Sequence, residues 1–226
     1  MIVSIHQPNY IPWIGFFNKI LLSDIYVVFD DVQYPRGKDY ANRNQIKTNN
    51  GRKWLTVPVI GKSELKPWNR IKINNNGWID QHLSLLESFY KKSDYFMEYY
   101  PKLKEIYHTG HSKLIELNLD LIRYILTILD NDTNIVMSSD IKTDKQGIEK
   151  ILHILKELNA TTYISGSGEG SKRYIDETLF KNNDIKLVWQ NYTQLEYKQQ
   201  YGKFISYMTI LDLVFNHGPN SKNYIL

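Results

Sequence analysis

Cysteine is absent from the 226-residue chain, which excludes disulfides and thiolate-held metals and suits a reducing compartment. No run approaches the roughly 18 uninterrupted apolar residues of a membrane span. The most apolar segment, residues 114–129, is broken by Glu116, Asn118, Asp120 and Arg123 and reads as a buried helix. The opening Met1-Ile2-Val3-Ser4-Ile5 lacks the basic and long apolar regions of a secretory signal, so a cytoplasmic location is expected. A long basic block is missing too: the net charge is +4, the pI near 8.9, and the lysines are scattered. That spread suits an anionic small substrate or an acidic surface and argues against a nucleic-acid partner. Internal repeats and linkers are also lacking, which points to one domain over residues 1–226 with a helical insertion at about 78–130.

The patterning that is present alternates strand and helix. Val3-Ser4-Ile5 reads as a strand ending at His6, residues 13–22 carry helical apolar spacing, and residues 25–29 form a β-branched and aromatic run stopped by Asp30-Asp31. Residues 32–52 are polar and turn-rich. Strand-like runs follow at 54–60 and 70–73, then helical patterns at 78–90, 95–107 and 112–129. The alternation resumes with strands at 134–137, 162–164 and 185–189 and helices at 145–158, 174–180 and 204–215. This order predicts an α/β fold: a mostly parallel, Rossmann-like sheet with helices on both faces and a largely helical middle segment. Ligands of such sheets bind beyond the carboxyl ends of the strands.

Candidate chemistry falls at those ends. His6 closes the first strand, with Gln7, Asn9 and Tyr10 in the following loop and Trp13 opening the helix. The stretch would meet a phosphate or carboxylate, or else His6 is a buried hydrogen-bonded histidine and the rest shapes a turn. Asp30 and Asp31 follow the next strand, with Gln33 and Tyr34 beyond. The paired carboxylates would act as base or Mg²⁺ ligands, or cap the strand end. Asn42, Arg43 and Asn44 bring a guanidinium fork suited to phosphate or carboxylate. Ser165, Gly166, Ser167 and Gly168, with Lys172, form a glycine-rich turn between strand and helix that fits an anion site or a pliable connection. His108-Thr109-Gly110-His111 spells the H-x-G-H pattern of nucleotidylyltransferases but lies between two helices, so it reads as a helix stop. No spacing favours a metal site. Asp212 and Asn216 share one face of an apolar helix and either bond internally or reach a site.

Taken together, HQPNYIPWIGFFNKI, VVFDDVQY, NRNQIKT, GRKWLTVPV, YISGSGEGSKRYID and ILDLVFNHG resemble the WbqC-like protein family, in the family's order and across nearly the whole chain. The resemblance implies a bacterial cytoplasmic protein of O-antigen or other surface-polysaccharide biosynthesis. It also implies a transferase role, the attachment of glycine to a sugar carboxylate, with a small-molecule sugar or sugar nucleotide as substrate. Amide formation needs an activated carboxylate, which makes ATP with Mg²⁺ the candidate cofactors. The fold is broadly similar to that of nucleotidylyltransferases and pantothenate synthetase, although Trp13-Ile14-Gly15-Phe16 stands where that class has its paired histidines. The expected roles are acid/base chemistry or phosphate binding for His6 and base or Mg²⁺ ligation for Asp30 and Asp31. Gln7, Asn9, Tyr10, Trp13, Gln33, Tyr34, Asn42, Arg43 and Asn44 would position substrate, with Ser165, Gly166, Ser167, Gly168 and Lys172 on anionic groups. Acyl or formyl transfer to an amino-sugar, or a non-catalytic sugar-nucleotide-binding role in an assembly complex, remain alternatives. A homodimer is an expected assembly.

Overall fold

The alternating residues at the start of the chain form β1 (Ile2–His6), with Val3, Ser4 and Ile5 buried. The structure is a computed structural model that describes residues 1–37, 39–61 and 64–226, apart from the side chain at 174. α1 (Ile14–Leu21) and β2 (Ile25–Val28) follow. The chain then builds β3 (Arg43–Thr48), β4 (Gly51–Thr56), β5 (Val59–Ile60), a 3-10 turn (Trp68–Arg70) and β6 (Lys72–Ile73). Next come α2 (Trp78–Tyr90), α3 (Phe96–His108) and α4 (Leu114–Ile128). After these lie β7 (Asn134–Met137), α5 (Gly147–Glu157), β8 (Thr162–Ser165), α6 (Glu169–Tyr174), α7 (Glu177–Lys181), β9 (Lys186–Trp189) and α8 (Ile210–His217).

The chain divides into two units, the first made of Met1–Gln7, Phe16–Asp31 and Thr133–Thr193. Its five-stranded sheet has the order β7-β2-β1-β8-β9, and every pairing in it is parallel. The expected α/β class and parallel sheet are therefore present. Strand alternation sends Val3, Ile5, Val27 and Tyr163 into one core with Leu152, Ile154 and Leu155 of α5 and Phe180 of α7. Tyr163 and Phe180 stack with ring centroids 5.5 Å apart. On the other face Phe16 of α1 meets Tyr26 edge-on at 5.7 Å. Helices thus cover both faces.

The second unit comprises Pro8–Gly15, Val32–Asp132 and Gln194–Leu226. The β3–β4 hairpin lies in the region expected to be turns. Its register, Arg43↔Thr56 through Thr48↔Gly51, turns Asn44, Ile46 and Leu55 inward and Arg43, Trp54 and Thr56 outward. The helix expected over 174–180 is two short helices. Asp176 separates them by accepting the Thr178 N–H and capping α7. The last helix begins at Ile210 rather than 204, because Tyr207 adopts φ +58° and Thr209 supplies the N-cap.

Pro8–Gly15 is held tightly within the second unit. Ile11 has φ +34°, a costly conformation for a β-branched residue. Its carbonyl accepts Asn44 Nδ2–H at 2.7 Å and Thr209 Oγ–H at 2.8 Å. The Pro8 carbonyl accepts Asn118 Nδ2–H at 2.6 Å, and the Tyr10 hydroxyl meets Tyr107 and, at 2.9 Å, His82. The Trp13 indole folds over Gly15, where a Cβ would stand 2.1 Å from a ring carbon.

Deeper in the same unit, Asp212 is fully buried. It accepts Tyr90 O–H and Tyr197 O–H at 2.8 Å and Gln199 Nε2–H at 2.7 Å. Tyr90 accepts in turn from the Lys47 N–H, and the buried Lys47 ammonium donates to the Lys203 carbonyl. Burial raises the Asp212 pKa, while the tyrosine and glutamine donors and Lys47 pull it back. Asn216 bonds to the Asp212 carbonyl and to Gln200, so the Asp212–Asn216 face is bonded internally. Asp212→Ala strands these donors in a dry interior, and urea unfolding is expected to show a loss of about 3–5 kcal/mol. Asp212→Asn, which keeps an acceptor, loses less; a loss under about 1 kcal/mol for the alanine variant contradicts this account.

Candidate functional site

In the first unit the sheet reverses its winding between β1 and β8, the position where doubly wound sheets bind ligands at their carboxyl ends. His6 ends β1 and Ser165 ends β8, with Ser4 paired to Ile164 between those strands. Alternation turns His6 towards α1 and Ser165 towards the α5 and α7 side, so the two flank the switch point.

The His6 ring is partly buried edge-on against Phe16, with 5.2 Å between centroids. Its Nδ1 lies 2.8 Å from the Gln7 carbonyl, which only accepts; Nδ1 therefore carries the proton and Nε2 a lone pair. Burial first, and the Lys19 ammonium second, lower its pKa to about 3. At neutral pH His6 thus offers a hydrogen-bond acceptor and no charge. Lys19 is 2% exposed, its Nζ 3.4 Å from the Ile5 carbonyl, and burial lowers its pKa to about 7. No reading of residue types singled out Lys19. Spacing gives no signal for it either, because residues 14–20 of α1 are all buried.

The other strand ends use their polar groups internally. Asp30, 1% exposed, accepts Ser138 Oγ–H at 3.0 Å and Ser139 N–H at 2.9 Å. Asp31 accepts Ser138 Oγ–H at 2.6 Å and pairs with the Lys150 ammonium. The carboxylates thus tie the ends of β2 and β7 to each other and to α5. No group of three histidine, aspartate or glutamate side chains suited to a metal occurs among the described residues. Ser165 is buried, whereas Ser167, Gly168 and Lys172 are exposed. A Cβ at Gly168 would meet nothing, and one at Gly166 only the Ser171 hydroxyl at 3.7 Å, so no close approach requires glycine in that turn. A depression of about 570 Å³ lined by Glu177, Lys181, Asp184 and Lys186 lies at the amino end of β9, away from His6.

The remaining expected site residues belong to the second unit. Tyr10, Tyr34, Asn42 and Asn44 are buried; Asn44 clamps Ile11 and Asn42 Nδ2–H bonds to the Val57 carbonyl. Asn9 and Trp13 are half-buried and Gln33 is exposed. Arg43 is half-buried, its guanidinium stacked over Trp54. Gly110, at φ +84°, ends α3 as the helix-stop reading required, and His111 Nε2 pairs with Asp120 at 2.8 Å. His82 faces Tyr10.

The model of the WbqC-like protein family matches residues 7–224. The chain belongs to this family. A relative from Mycobacterium tuberculosis (strain ATCC 25618 / H37Rv), "Uncharacterized protein Rv1507c", is 34% identical over 226 residues, covering 99% of this chain and 96% of its own length. No solved structure matches the chain. Within this WbqC-like chain, no helix of the described residues is long and apolar enough to cross a membrane.

Three outcomes follow for the WbqC-like chain. The folded protein protonates His6 only near pH 3 and His82 only near pH 4, whereas the unfolded chain does so near 6.5. Stability is therefore expected to fall as pH drops from about 6.5 towards 3, with a shallower slope in His6→Gln. In Lys19→Met the nearby charge is gone, so NMR titration should show the His6 pKa rising; an unmoved value removes Lys19 from this role. Asn44→Ala leaves the Ile11 carbonyl with the Thr209 hydroxyl alone and the Gln45 N–H without its side-chain partner, an expected loss of about 1–3 kcal/mol by chemical denaturation.

Proposed function

We propose that the chain is a sugar-modifying transferase of surface-polysaccharide biosynthesis, acting in the cytoplasm, that joins glycine to the carboxyl group of a sugar or sugar nucleotide as an amide. The observation that carries this reading is the neutral His6 imidazole, its Nε2 lone pair free of an internal partner bond, at the switch point of a parallel sheet. The polysaccharide setting is what the resemblance to the WbqC-like family implies, and the chain belongs to that family.

The chemistry requires an activated carboxyl group, which a nucleoside triphosphate supplies: a sugar carboxylate oxygen attacks phosphorus and pyrophosphate leaves. The amine nitrogen then attacks the acyl carbon. The carbon–nitrogen bond forms as the bond from that carbon to the phosphate oxygen breaks, and the surplus amine proton is released to water. His6 Nε2 accepts a hydrogen bond from the incoming amine and aims its nitrogen at the acyl carbon. Lys19 is a positioning residue: burial first, and the Lys19 charge second, keep the imidazole neutral, hence an acceptor. Asp30 and Asp31 hold the strand ends that frame this edge.

The test incubates the purified protein with glycine, a uronic-acid sugar nucleotide and ATP, and follows the amide by mass spectrometry. Product is expected only with all three. His6→Ala should lower kcat by about 10²-fold or more, and Lys19→Met should shift the pH profile of kcat in step with the His6 pKa. Turnover without a nucleoside triphosphate, or with an acyl or formyl donor in place of glycine, replaces this reaction by the corresponding transfer. Wild-type turnover in His6→Ala overturns the assignment.

A further inference from the structure

The β3–β4 hairpin carries chemistry that neither its own folding nor the switch-point site uses. Its strands, RNQIKT and GRKWLT, contain four cationic residues and no carboxylate. The ladder sets Arg43 opposite Thr56, Gln45 opposite Trp54 and Lys47 opposite Arg52 on one face. Lys47 and Arg52 hold the Lys203 and Ser206 carbonyls, which fixes the C-terminal segment along one end of that face. Arg43, Trp54 and Thr56 lie at the other end.

There Arg43 stacks on the Trp54 indole, 4.1 Å from ring centroid to guanidinium carbon. Its Nε–H donates to the Asp39 carbonyl at 3.2 Å, which fixes the plane of the guanidinium; its terminal nitrogens carry no hydrogen bond to the described residues. The Asp39 carboxylate is engaged with the Ala41 N–H at 2.8 Å. Tyr40 lies against Trp54 with centroids 5.8 Å apart and a 43° tilt, and the two rings are 43% and 38% exposed. Exposed aromatic rings beside an oriented guanidinium are costly to leave in water without a use. Arg52 lies four ladder positions from Arg43, about 13 Å along the strands.

We propose that this face binds an acidic saccharide, with a sugar carboxylate on the outer N–H edge of Arg43, sugar C–H groups on Tyr40 and Trp54, and a following acidic unit near Arg52. A guanidinium needs no new conformation to take a carboxylate through its two outer N–H groups. Thr56 and Gln45 sit beside the rings for sugar hydroxyls. A single-stranded nucleic acid is the weaker fit, because base stacking needs an open ring face and Arg43 already covers one face of the only exposed indole on the hairpin. The inference shares its sugar class with the proposed transfer, yet its test involves no turnover, so the two fail separately.

The probe is a trimer of galacturonic acid, titrated into the full chain and followed by calorimetry and by amide NMR shifts on β3 and β4. Its methyl-esterified form and a deoxythymidine oligomer serve as comparisons. The free acid should bind, the ester about tenfold or more weakly, and the affinity should fall with added salt. Arg43→Gln and Trp54→Ala should each weaken binding about tenfold while keeping the wild-type thermal midpoint within a few degrees; Arg52→Gln reports the second acidic unit. The proposal is overturned by equal affinity for acid and ester, by unchanged binding in Arg43→Gln, by tighter binding of the oligonucleotide, or by no binding of the trimer at millimolar concentration.

Discussion

The second unit depends on one carbonyl. Ile11 is driven into a backbone region that β-branched residues avoid, and two donors distant in sequence, Asn44 and Thr209, close on its oxygen. Thr209 also caps α8, accepting from the Leu211 N–H, and its own N–H donates to the Gln45 carbonyl. One residue therefore joins the first loop, the hairpin and the last helix. Strain of this kind, of order 1–3 kcal/mol, persists only where its surroundings over-determine it, and here an amide, a hydroxyl and a helix cap do so.

Polar burial serves two purposes in this chain. Around Asp212 the carboxylate is matched by hydroxyl and amide donors, which makes the cluster a structural fastener. The pairing of Asp31 with Lys150 does the same at the strand ends. His6 differs: one nitrogen is spent on the neighbouring carbonyl, and burial with a buried cation keeps the ring neutral. The interior thus satisfies its buried carboxylates with donors, while the His6 ring keeps one nitrogen without a hydrogen-bonded side chain at the carboxyl end of the sheet.

The parallel sheet was legible because its strands are short β-branched runs alternating with amphipathic stretches. β7 and α2 have the bounds their apolar patterns predict. The β3 strand was not legible: RNQIKT reads as polar loop, since its inward Asn44 is there to bond a carbonyl and its outward face meets solvent. The expected site residues show the same limit. Asn42, Asn44 and Tyr10 have the side chains of ligand binders, yet burial assigns their polar atoms to the fold, and burial is not written in residue type. Lys19 is the converse, an ordinary surface residue by type that burial in α1 brings within electrostatic reach of His6. Ser138 and Lys150 became visible only once the ends of β2 and β7 stood side by side.

The position of β1 in its sheet has a consequence for how the protein is made. This strand lies at the centre, paired to β2 on one side and on the other to β8, about 160 residues further along the chain, where the Met1 amine meets the Thr161 hydroxyl. Between β2 and β7 the chain must also complete Val32–Asp132. The β1–β8 pairing is therefore a contact of high sequence separation, of the kind that forms slowly. A chain that stops before residue 162 would leave one edge of β1 unpaired, open to wrong neighbours.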